Sequence, residues 1–396
     1  MSGFDSEIWY LRFIIEAQID KMRFMYLWQS PEWPNFQHNA QALAPVLAQA
    51  RLAQGRMLGL ASSLQLVDLA ELQLSGWAQE AVATAQIEGE ILQVNSVRAS
   101  AARRLGLPDA SDTARDARTE ATLDVLQAAV HQWQRPLSHD DLFGWHAALF
   151  PTGRSGITRI ATGAYRSHAE PMQIVTPRLG LPDVVHYQAP ASADVPAHMT
   201  LLLQWFNQSL GTMDGLVRAA IVHLWFEAIH PFEDGNGRIG RALVELALAQ
   251  DMQSSQRLFS LSTQLWQDRA GYYAHLQAAT AQPNMDLTPW VHWFVGRVEA
   301  ACHAALGQMQ TALAKNRYWS HLNTDHPGLS ASQRKALARL FDAQPDGFIG
   351  GMSTEKYVNL TGTSRATAYR ELTELAELGL LLRTGQGRGT RYQLVL

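Results

Sequence analysis

Residues 230 to 241 read H-P-F-E-D-G-N-G-R-I-G-R and combine several residue types that can carry out chemistry. His230 has the side chain whose ordinary pKa suits proton transfer near neutral pH. Asp234 offers carboxylate oxygens of the kind that Mg²⁺ takes together with phosphate oxygens. Arg238 and Arg241 are three residues apart, so on a helix they share a face and can bind phosphates. The segment therefore predicts a site for transfer of a nucleotide phosphoryl group.

Two apolar segments must position this loop. Residues 216–229 before it and 242–249 after it place apolar side chains at helical spacing, which predicts two buried helices. Pro231 cannot continue the first helix, and Gly235 and Gly237 tolerate the turn conformations that a tight loop needs. The second helix is expected to begin directly after the loop, so that its free N–H groups and positive dipole end form an anion site.

Other interpretations of the loop are weaker. Gly235, Gly237 and Gly240 spell G-x-G-x-x-G, but the dinucleotide-binding fingerprint needs a preceding strand, and here a long apolar helix precedes it. The sequence contains neither a G-x-x-x-x-G-K-[ST] loop nor an H-E-x-x-H helix. A polar surface loop with an ion pair would require both composition and spacing to be accidental.

The loop resembles the signature of the Fic family, H-x-F-x-[DE]-G-N-G-R-x-x-R, and every defined position agrees. The resemblance implies transfer of a nucleotide monophosphate, usually AMP from ATP, onto a protein hydroxyl, with Mg²⁺ as cofactor. In the kinase-like branch of the superfamily a lysine replaces the second glycine and the nucleotide binds reversed. Gly237 argues against that branch.

The resemblance also assigns roles to individual residues. His230 would deprotonate the target hydroxyl, Phe232 would anchor the loop in the core, and Asp234 would hold Mg²⁺ on the α- and β-phosphates. Aromatic residues near residues 272–276 line the adenine pocket in the family. The set expected to form the ATP and phosphate site is Phe232, Gly235, Asn236, Gly237, Arg238, Arg241, Tyr272 and Tyr273.

A second motif lies upstream of the loop. Thr84, Glu88 and Gly89 match the family's inhibitory pattern [ST]-x-x-x-E-[GN]. Thr84 and Glu88 are one helical turn apart on the same face, and Gly89 allows the helix to end. In relatives this glutamate pairs with the second motif arginine, here Arg241, and displaces the γ-phosphate. The alternative is an ordinary glutamate at a helix end.

Residues 173–187 are expected to form two short strands around a Pro/Gly turn. In the family this hairpin is a flap whose edge holds the target peptide by strand addition. The alternative is a surface hairpin without a partner. The docking residues predicted on this basis are Gln173, Ile174, Val175, Val185, His186 and Tyr187.

Residues 329–396 show helix, helix, turn, helix and a two-stranded wing, which resembles a winged helix-turn-helix. The segment holds nine basic and six acidic side chains, so its formal net charge is +3, whereas that of the whole chain is −4. Arg365, Arg370 and Arg388 are the expected DNA contacts. The alternative is a module of the same fold that binds protein or dimerises.

The composition, 47% hydrophobic and 17% charged over 396 residues, is that of a globular protein with two or three domains. Mainly α structure is expected, as a helical bundle with a small β-hairpin flap.

The single cysteine, Cys302, excludes an internal disulfide framework and a cysteine zinc site, and fits a reducing cytoplasm. Apolar runs are too short for a membrane helix, which needs roughly 18 residues.

The expected organisation follows the chain. Residues 1–24 form either an extension upstream of the native start or a docked helix. An N-terminal helical domain occupies 25–110, with the inhibitory helix at 76–90, and the catalytic domain occupies 111–315. A linker at 316–328 leads to the C-terminal module at 329–396.

The function expected first is self-restrained transfer of AMP from ATP to a Tyr, Thr or Ser hydroxyl of a target protein or of the chain itself. A hydrolase that removes AMP, with Glu88 positioning water, is a variant on the same site. The competing class is a DNA-binding regulator in which the site senses ATP. The partners are thus ATP, a protein hydroxyl, DNA through the C-terminal module and a second copy in a homodimer, with no membrane.

Overall fold

The computed structural model describes residues 26–107, 114–176, 178, 184–343 and 347–395, without the side chains of Thr176 and Arg388. The architecture is mainly α, as predicted, with three small antiparallel hairpins in the described part of the chain. The chain divides into two compact units, residues 1–308 and 309–396. The predicted extension at 1–24 lies outside the described residues.

Three helices open the first unit: α1 (Ala40–Ala61), α2 (Leu66–Ile87) and α3 (Val94–Arg104). Asn39 caps α1 by accepting a hydrogen bond from Ala42 N. Small and aromatic side chains of α2, among them Trp77 and Ala81, pack with Val97 of α3 in a buried cluster. The end of α2 at Ile87 leaves Glu88 as its C-terminal cap residue.

Helices α4 (Ala117–His131) and α5 (His139–Leu149) follow. Ser138 caps α5 by accepting from Asp141 N, and the Asp141 carboxylate accepts in return from Ser138 N. This reciprocal cap fixes the start of α5, the helix that later supplies His146 to the loop.

Helices α6 (Val195–Gln208), α7 (Gly215–Ile229) and α8 (Asn236–Met252) form the centre of the unit. Every residue of α7 from Leu216 onward is buried, since other elements cover the helix all round. Asp214 starts α7 by accepting from Leu216 N. Two buried helices thus hold the loop at residues 230–235, as the apolar segments predicted.

Two hairpins border the loop. Strands β1 (Arg154–Ser155) and β2 (Thr158–Arg159) form the first, and β3 (Gln173–Thr176) and β4 (Val184–Gln188) the second. In the second hairpin Ile174 pairs with Tyr187 and Val175 with Val185, which leaves His186 in a bulge. The predicted strands at 173–187 are therefore present, and most of the turn between them lies outside the described residues.

Helices α9 (Leu261–Gln267), α10 (Arg269–Thr280) and α11 (Thr288–Asp325) complete the series. The predicted linker at 316–328 is wrong over most of its length, because α11 continues to Asp325. Its polar residues do not break the helix, since Leu322 keeps the apolar spacing and is buried in the core of the second unit.

The second unit contains α12 (Ala331–Phe341), α13 (Thr354–Thr361) and α14 (Arg365–Glu377), followed by β5 (Leu381–Thr384) and β6 (Arg391–Leu394). Ser330, Ser353 and Ser364 each cap the helix that follows. Leu337, Tyr357 and Leu372 are fully buried in its core. Across the parts of the chain that are described, no helix is long and apolar enough to span a bilayer.

Candidate active site

The loop between α7 and α8 depends on two residues with positive φ. His230 ends α7 with φ 49° and ψ 60°, and its N–H still donates to Phe226 O at 2.9 Å. Gly235 has φ 81° directly before α8, and a Cβ there would lie 2.8 Å from Phe150 Cε2. Because a histidine in this conformation is strained, the surrounding contacts must hold it.

Arg166, the last residue of a G-A-Y-R sequence at residues 163–166, supplies much of that support. Its Nε donates to His230 O at 2.8 Å and its Nη2 to Pro190 O at 2.6 Å. Its backbone N–H donates to Pro231 O at 2.9 Å. The side chain is 2% exposed, so this guanidinium is a buried brace for the loop carbonyls and does not face a ligand.

Phe232 anchors the loop in the core, as the resemblance implied. Its ring is fully buried and stacks on His146 with centroids 4.2 Å apart. Gly163 N donates to His146 Nδ1, so the proton lies on Nε2, which donates to Asp234 O at 3.2 Å. Burial lowers the pKa of His146 and keeps it neutral. Phe232 is therefore a supporting residue and not a phosphate ligand.

The side chain of Asn236 bonds to the backbone of Phe232. Its Oδ1 accepts from Phe232 N at 2.9 Å and its Nδ2 donates to Phe232 O at 2.8 Å. The residue is 3% exposed. Both ends of the amide are used in closing the loop on itself, because the Phe232 backbone would otherwise be buried without partners. The Asn236 side chain therefore braces the turn, and its expected contact with a phosphate oxygen stays a prediction.

Asp234 has an environment that fits a shared Mg²⁺ ion. Its side chain is 42% exposed, while Gly235 N and Ser155 Oγ donate to its two oxygens and orient the carboxylate. Among the described residues no group of three or more His, Cys, Asp or Glu side chains converges on one point. One oriented and partly exposed carboxylate is the kind of donor that Mg²⁺ takes together with phosphate oxygens.

The His230 imidazole is largely enclosed. Its Nδ1 lies 4.0 Å from Glu227 Oε2. Burial, reinforced by the charge of Arg166, lowers the pKa of His230 to about 4. Burial also raises the pKa of Glu227 to about 8. At neutral pH the imidazole is thus uncharged and able to accept a proton.

Arg241 lies against the end of α2. Its Nε donates to Thr84 Oγ1 at 2.6 Å, and its Nη2 donates to Glu88 Oε1 at 2.8 Å. The guanidinium is 2% exposed. Burial alone would lower the pKa of Arg241, but the charge and hydrogen bond of Glu88, together with the nearby Tyr272 and Glu227, outweigh burial and raise it. The arginine remains charged and its charge is satisfied from within the chain.

Gly237 differs from the expected turn glycine. It lies inside α8, and a Cβ there would sit 2.2 Å from Glu88 Oε1. Gly237 is needed because Glu88 approaches the helix closely, and the turn itself depends on Gly235. Gly89, with φ 79°, ends α2 as predicted.

Arg238 has a carboxylate partner of its own. Its Nη1 lies 3.0 Å from Glu90 Oε1, and its Nη2 lies 3.7 Å from Asp234 Oδ1. The guanidinium also lies over the Phe150 ring, 5.1 Å from the centroid. Its side chain is 10% exposed. Arg238 and Arg241, both at the start of α8, therefore face the same segment at the end of α2.

A cleft of about 280 Å³ lies beside the loop, between β3–β4, the end of α7 and α10. Tyr273 lines it and is 41% exposed, with its hydroxyl donating to Ile87 O at 3.3 Å. Tyr272 is buried behind it and bonds His223 Nε2 at 2.8 Å. Of the two tyrosines predicted near the adenine, only Tyr273 can touch a ligand in this cleft. Its lining residues are Ile174, His186, Tyr187, Glu227, Tyr273, Leu276, Gln277 and Thr280.

The predicted flap residues do not share one role. Ile174, Val175 and Val185 are exposed apolar side chains. Tyr187 is 5% exposed, and its hydroxyl donates to Ala228 O, so it fastens β4 to α7. Trp28 Nε1 donates to Gln188 O at 2.7 Å from the N-terminal segment. Tyr187 thus supports the hairpin, and the exposed side chains are the ones that a peptide could meet.

The predicted DNA contacts lie in the second unit. Arg365 and Arg370 are exposed on α14, near its start, together with Tyr369. The Arg388 side chain lies outside the described residues.

The sequence alone did not indicate several residues of the site. Ser155 and His146 support Asp234 and Phe232 from separate elements, and no local pattern marks them. Glu227 lines the cleft three residues before His230. Glu90 offered one hint, because a second carboxylate directly follows the matched Glu88 and Gly89.

The fold itself has a known counterpart. The chain superposes on the crystal structure of a Fic family protein from Desulfovibrio desulfuricans G20 with a TM-score of 0.53 and 24% identity, covering 90% of this chain and 97% of that one. The fold of the chain is therefore that of the helical Fic bundle.

The sequence comparisons give the same family. The Fic/DOC family model matches residues 136–248, and residues 26–107 match a domain of unknown function, DUF4172. The chain therefore carries a Fic/DOC-family domain. It is 32% identical over 140 residues to protein adenylyltransferase fic-1 of Caenorhabditis briggsae, and 36% identical over 112 residues to that of Caenorhabditis elegans. These matches cover 35% and 28% of this chain, and 25% and 20% of the relatives' own lengths.

Proposed function

We propose that the chain is a self-restrained protein adenylyltransferase that moves AMP from ATP to a Tyr, Thr or Ser hydroxyl. The observation that carries the proposal is a geometric one: the enclosed His230 lies 4.0 Å from Glu227, which lines the cleft with Tyr273, and directly precedes the turn where Asp234 faces Arg238 at the start of α8. The relatives named protein adenylyltransferases support the reaction class.

The reaction uses these groups in order. Tyr273 and its neighbours hold the nucleoside, and the N–H groups at the start of α8 with Arg238 and Arg241 hold the phosphates. His230 takes the proton of the target hydroxyl. The hydroxyl oxygen forms a bond to the α-phosphorus as the bond to pyrophosphate breaks. Mg²⁺ held by Asp234 would neutralise charge on the phosphates.

Restraint follows from the contact between Glu88 and Arg241. The guanidinium that would bind a phosphate already donates to a carboxylate, in a site where Gly237 permits close approach. A hydrogen bond between charged groups contributes about 1.5–3 kcal/mol. Each 1.4 kcal/mol corresponds to about a tenfold change in a dissociation constant. Loss of this contact should therefore raise the affinity for the nucleotide by about ten- to hundredfold.

Transfer from α-labelled ATP tests both parts. We expect His230→Ala to reduce labelling by about a hundred- to ten-thousandfold, and Glu88→Gly to increase it by about tenfold or more. His303→Ala is the control for the first variant, because His303 is an exposed histidine on α11. Glu71→Ala is the control for the second, because Glu71 lies on the exposed side of α2.

Unchanged labelling by His230→Ala would end the catalytic assignment. A Glu88→Gly variant no more active than the parent chain would end the restraint assignment while leaving the first intact. Mass spectrometry of a lysate treated with Glu88→Gly and ATP would then identify the modified hydroxyl.

DNA binding by the second unit is a second candidate function. On α14 the Glu371 carboxylate is buried and accepts from Tyr357 and Ser330, whereas Glu374 and Glu377 are exposed. Arg365 and Arg370 are exposed as well. The candidate therefore rests on the net charge of +3 of residues 329–396, which modestly favours a polyanion.

A mobility-shift titration of the full chain on a duplex pool tests this candidate. The double variant Arg365→Ala, Arg370→Ala should weaken binding. It should also reduce the slope of the logarithm of the binding constant against the logarithm of the salt concentration by about two, since each phosphate contact contributes about 0.9 to that slope. Arg317→Ala with Lys335→Ala removes the same charge from exposed positions elsewhere in the unit and serves as the control. Salt-independent binding, or none, would count against DNA as the ligand.

A further inference from the structure

The end of α2 brings a second carboxylate to the loop. Besides Glu88 at Arg241, Glu90 Oε1 lies 3.0 Å from Arg238 Nη1. The inhibitory pattern matched in the sequence ends at Gly89 and assigns nothing to Glu90. Arg238 and Arg241 are thus both paired with carboxylates from one short segment.

Backbone geometry explains how one helix end supplies both carboxylates. Gly89 adopts φ 79°, its N–H donates to Gln86 O at 3.0 Å, and Glu90 N–H donates to Ala85 O at 2.9 Å. These two bonds form a Schellman-type termination, which turns the chain sharply after Glu88. Because of this turn, Glu90 faces Arg238, which lies one helical turn before Arg241 on α8.

The two contacts differ in exposure at the arginine. The Arg241 side chain is 2% exposed and that of Arg238 is 10% exposed, whereas the two glutamates are similarly exposed, Glu88 at 32% and Glu90 at 30%. A partly exposed ion pair contributes about 0.2–1 kcal/mol, so the contact of Glu90 with the more exposed arginine is expected to be the weaker of the two. Asp234 also faces Arg238, at 3.7 Å, so the guanidinium keeps a carboxylate neighbour when Glu90 leaves.

We propose that Glu90 is a second internal competitor for the phosphate site, which occupies Arg238 as Glu88 occupies Arg241. This inference rests on the proposed function, because it describes how the same nucleotide site is regulated. ATP must then displace two carboxylates that share one helix end. Substitution of Glu88 alone leaves Arg238 paired, so release of the site is incomplete in that variant.

Glu90→Gln tests the inference, because it removes the charge and keeps the size. The variant is made in the full chain, alone and with Glu88→Gly, and Glu71→Gln is the matched control on α2. Two quantities are measured: the Kd for ATP with Mg²⁺ by calorimetry in a His230→Ala background, and kcat and KM of transfer from α-labelled ATP.

We expect Glu90→Gln to tighten ATP binding by about two- to fivefold in the Glu88→Gly background, with a matching fall in KM and an unchanged kcat. A weaker Kd would overturn the inference and make Glu90 a positioning residue for Arg238. An unchanged Kd, alongside a clear gain from Glu88→Gly, would overturn it as well.

The two proposals can fail separately. If ATP binding responds to Glu90→Gln but no variant transfers AMP, the competitor inference stands and the transferase assignment fails. If Glu88→Gly transfers AMP but Glu90→Gln changes neither Kd nor KM, the assignment stands and the inference fails. No ATP binding in any variant overturns both.

Discussion

At the residue scale, burial decides the protonation of the groups around the loop. His230 and Glu227 lie on successive turns, and enclosure shifts both toward their uncharged forms, the pKa of His230 to about 4 and that of Glu227 to about 8. A base that is already neutral at pH 7 needs no prior deprotonation. Because Glu227 is uncharged under the same conditions, it does not trap the proton that His230 receives.

The pH dependence of transfer follows from this shift. His230 must be unprotonated to act, and its pKa is lowered, so the active form persists as the pH falls from 7 and is lost only near pH 4. We expect initial rates of the Glu88→Gly variant to stay nearly constant between pH 7 and pH 5. Circular dichroism at each pH checks that the fold persists. An acid limb centred near 6.5 would show that the imidazole is not enclosed.

At the element scale, close packing of α7 against α8 sets the loop geometry. Gly240 faces Glu227, and a Cβ at that position would lie 2.4 Å from Glu227 Oε1 and 3.2 Å from His223 Nδ1. The two helices approach closely because a glycine meets a long buried side chain there. The first turn of α8 is thereby fixed relative to His230.

Gly240→Ala should therefore destabilise the first unit. We expect a loss of about 1–3 kcal/mol in urea unfolding, since an added methyl in a filled core forces neighbours to shift. Adding Glu227→Ala removes the atom that is met first and should recover at least half of that loss, which a double-mutant cycle measures. The control is Gly55→Ala in α1, where a Cβ meets nothing within 4 Å. Additive effects of the two changes would exclude the contact.

At the scale of the whole molecule, the chain folds as two compact units. The first is organised around α7 and α8, and the second has its own buried core with Leu337, Tyr357 and Leu372. Each unit thus buries its own apolar surface. A unit of this kind unfolds cooperatively by itself.

Core variants should then shift one unfolding transition at a time. Tyr357→Phe leaves the buried Glu371 without the hydroxyl that donates to it at 2.7 Å, and should lower the stability of residues 309–396 by about 1–3 kcal/mol. Phe206 on α6 is fully buried, so Phe206→Ala should lower the stability of the first unit by about 3–5 kcal/mol. Hydrogen exchange in increasing urea, resolved by peptide, assigns each change. One transition moved equally by both variants would contradict the division.

The sequence alone predicted the parts that depend on neighbours in the chain. The loop composition, the helices on both sides of it, the flap strands and the helix end at Gly89 follow from local spacing and turn preferences. Phe232 was correctly expected in the core. The predicted linker failed for the same local reason, because isolated polar residues were taken to end a helix that buried Leu322 sustains.

Tertiary structure alone decided which groups face a ligand and which are already partnered. Glu90 and Arg238 are 148 residues apart in the chain, and Arg166 and His230 are 64 apart, so no local pattern pairs them. Asn236 turns inward because the buried Phe232 backbone needs its amide, and Gly237 is required by the approach of Glu88. Local spacing determines which residue types occur together, whereas packing of distant segments determines their partners.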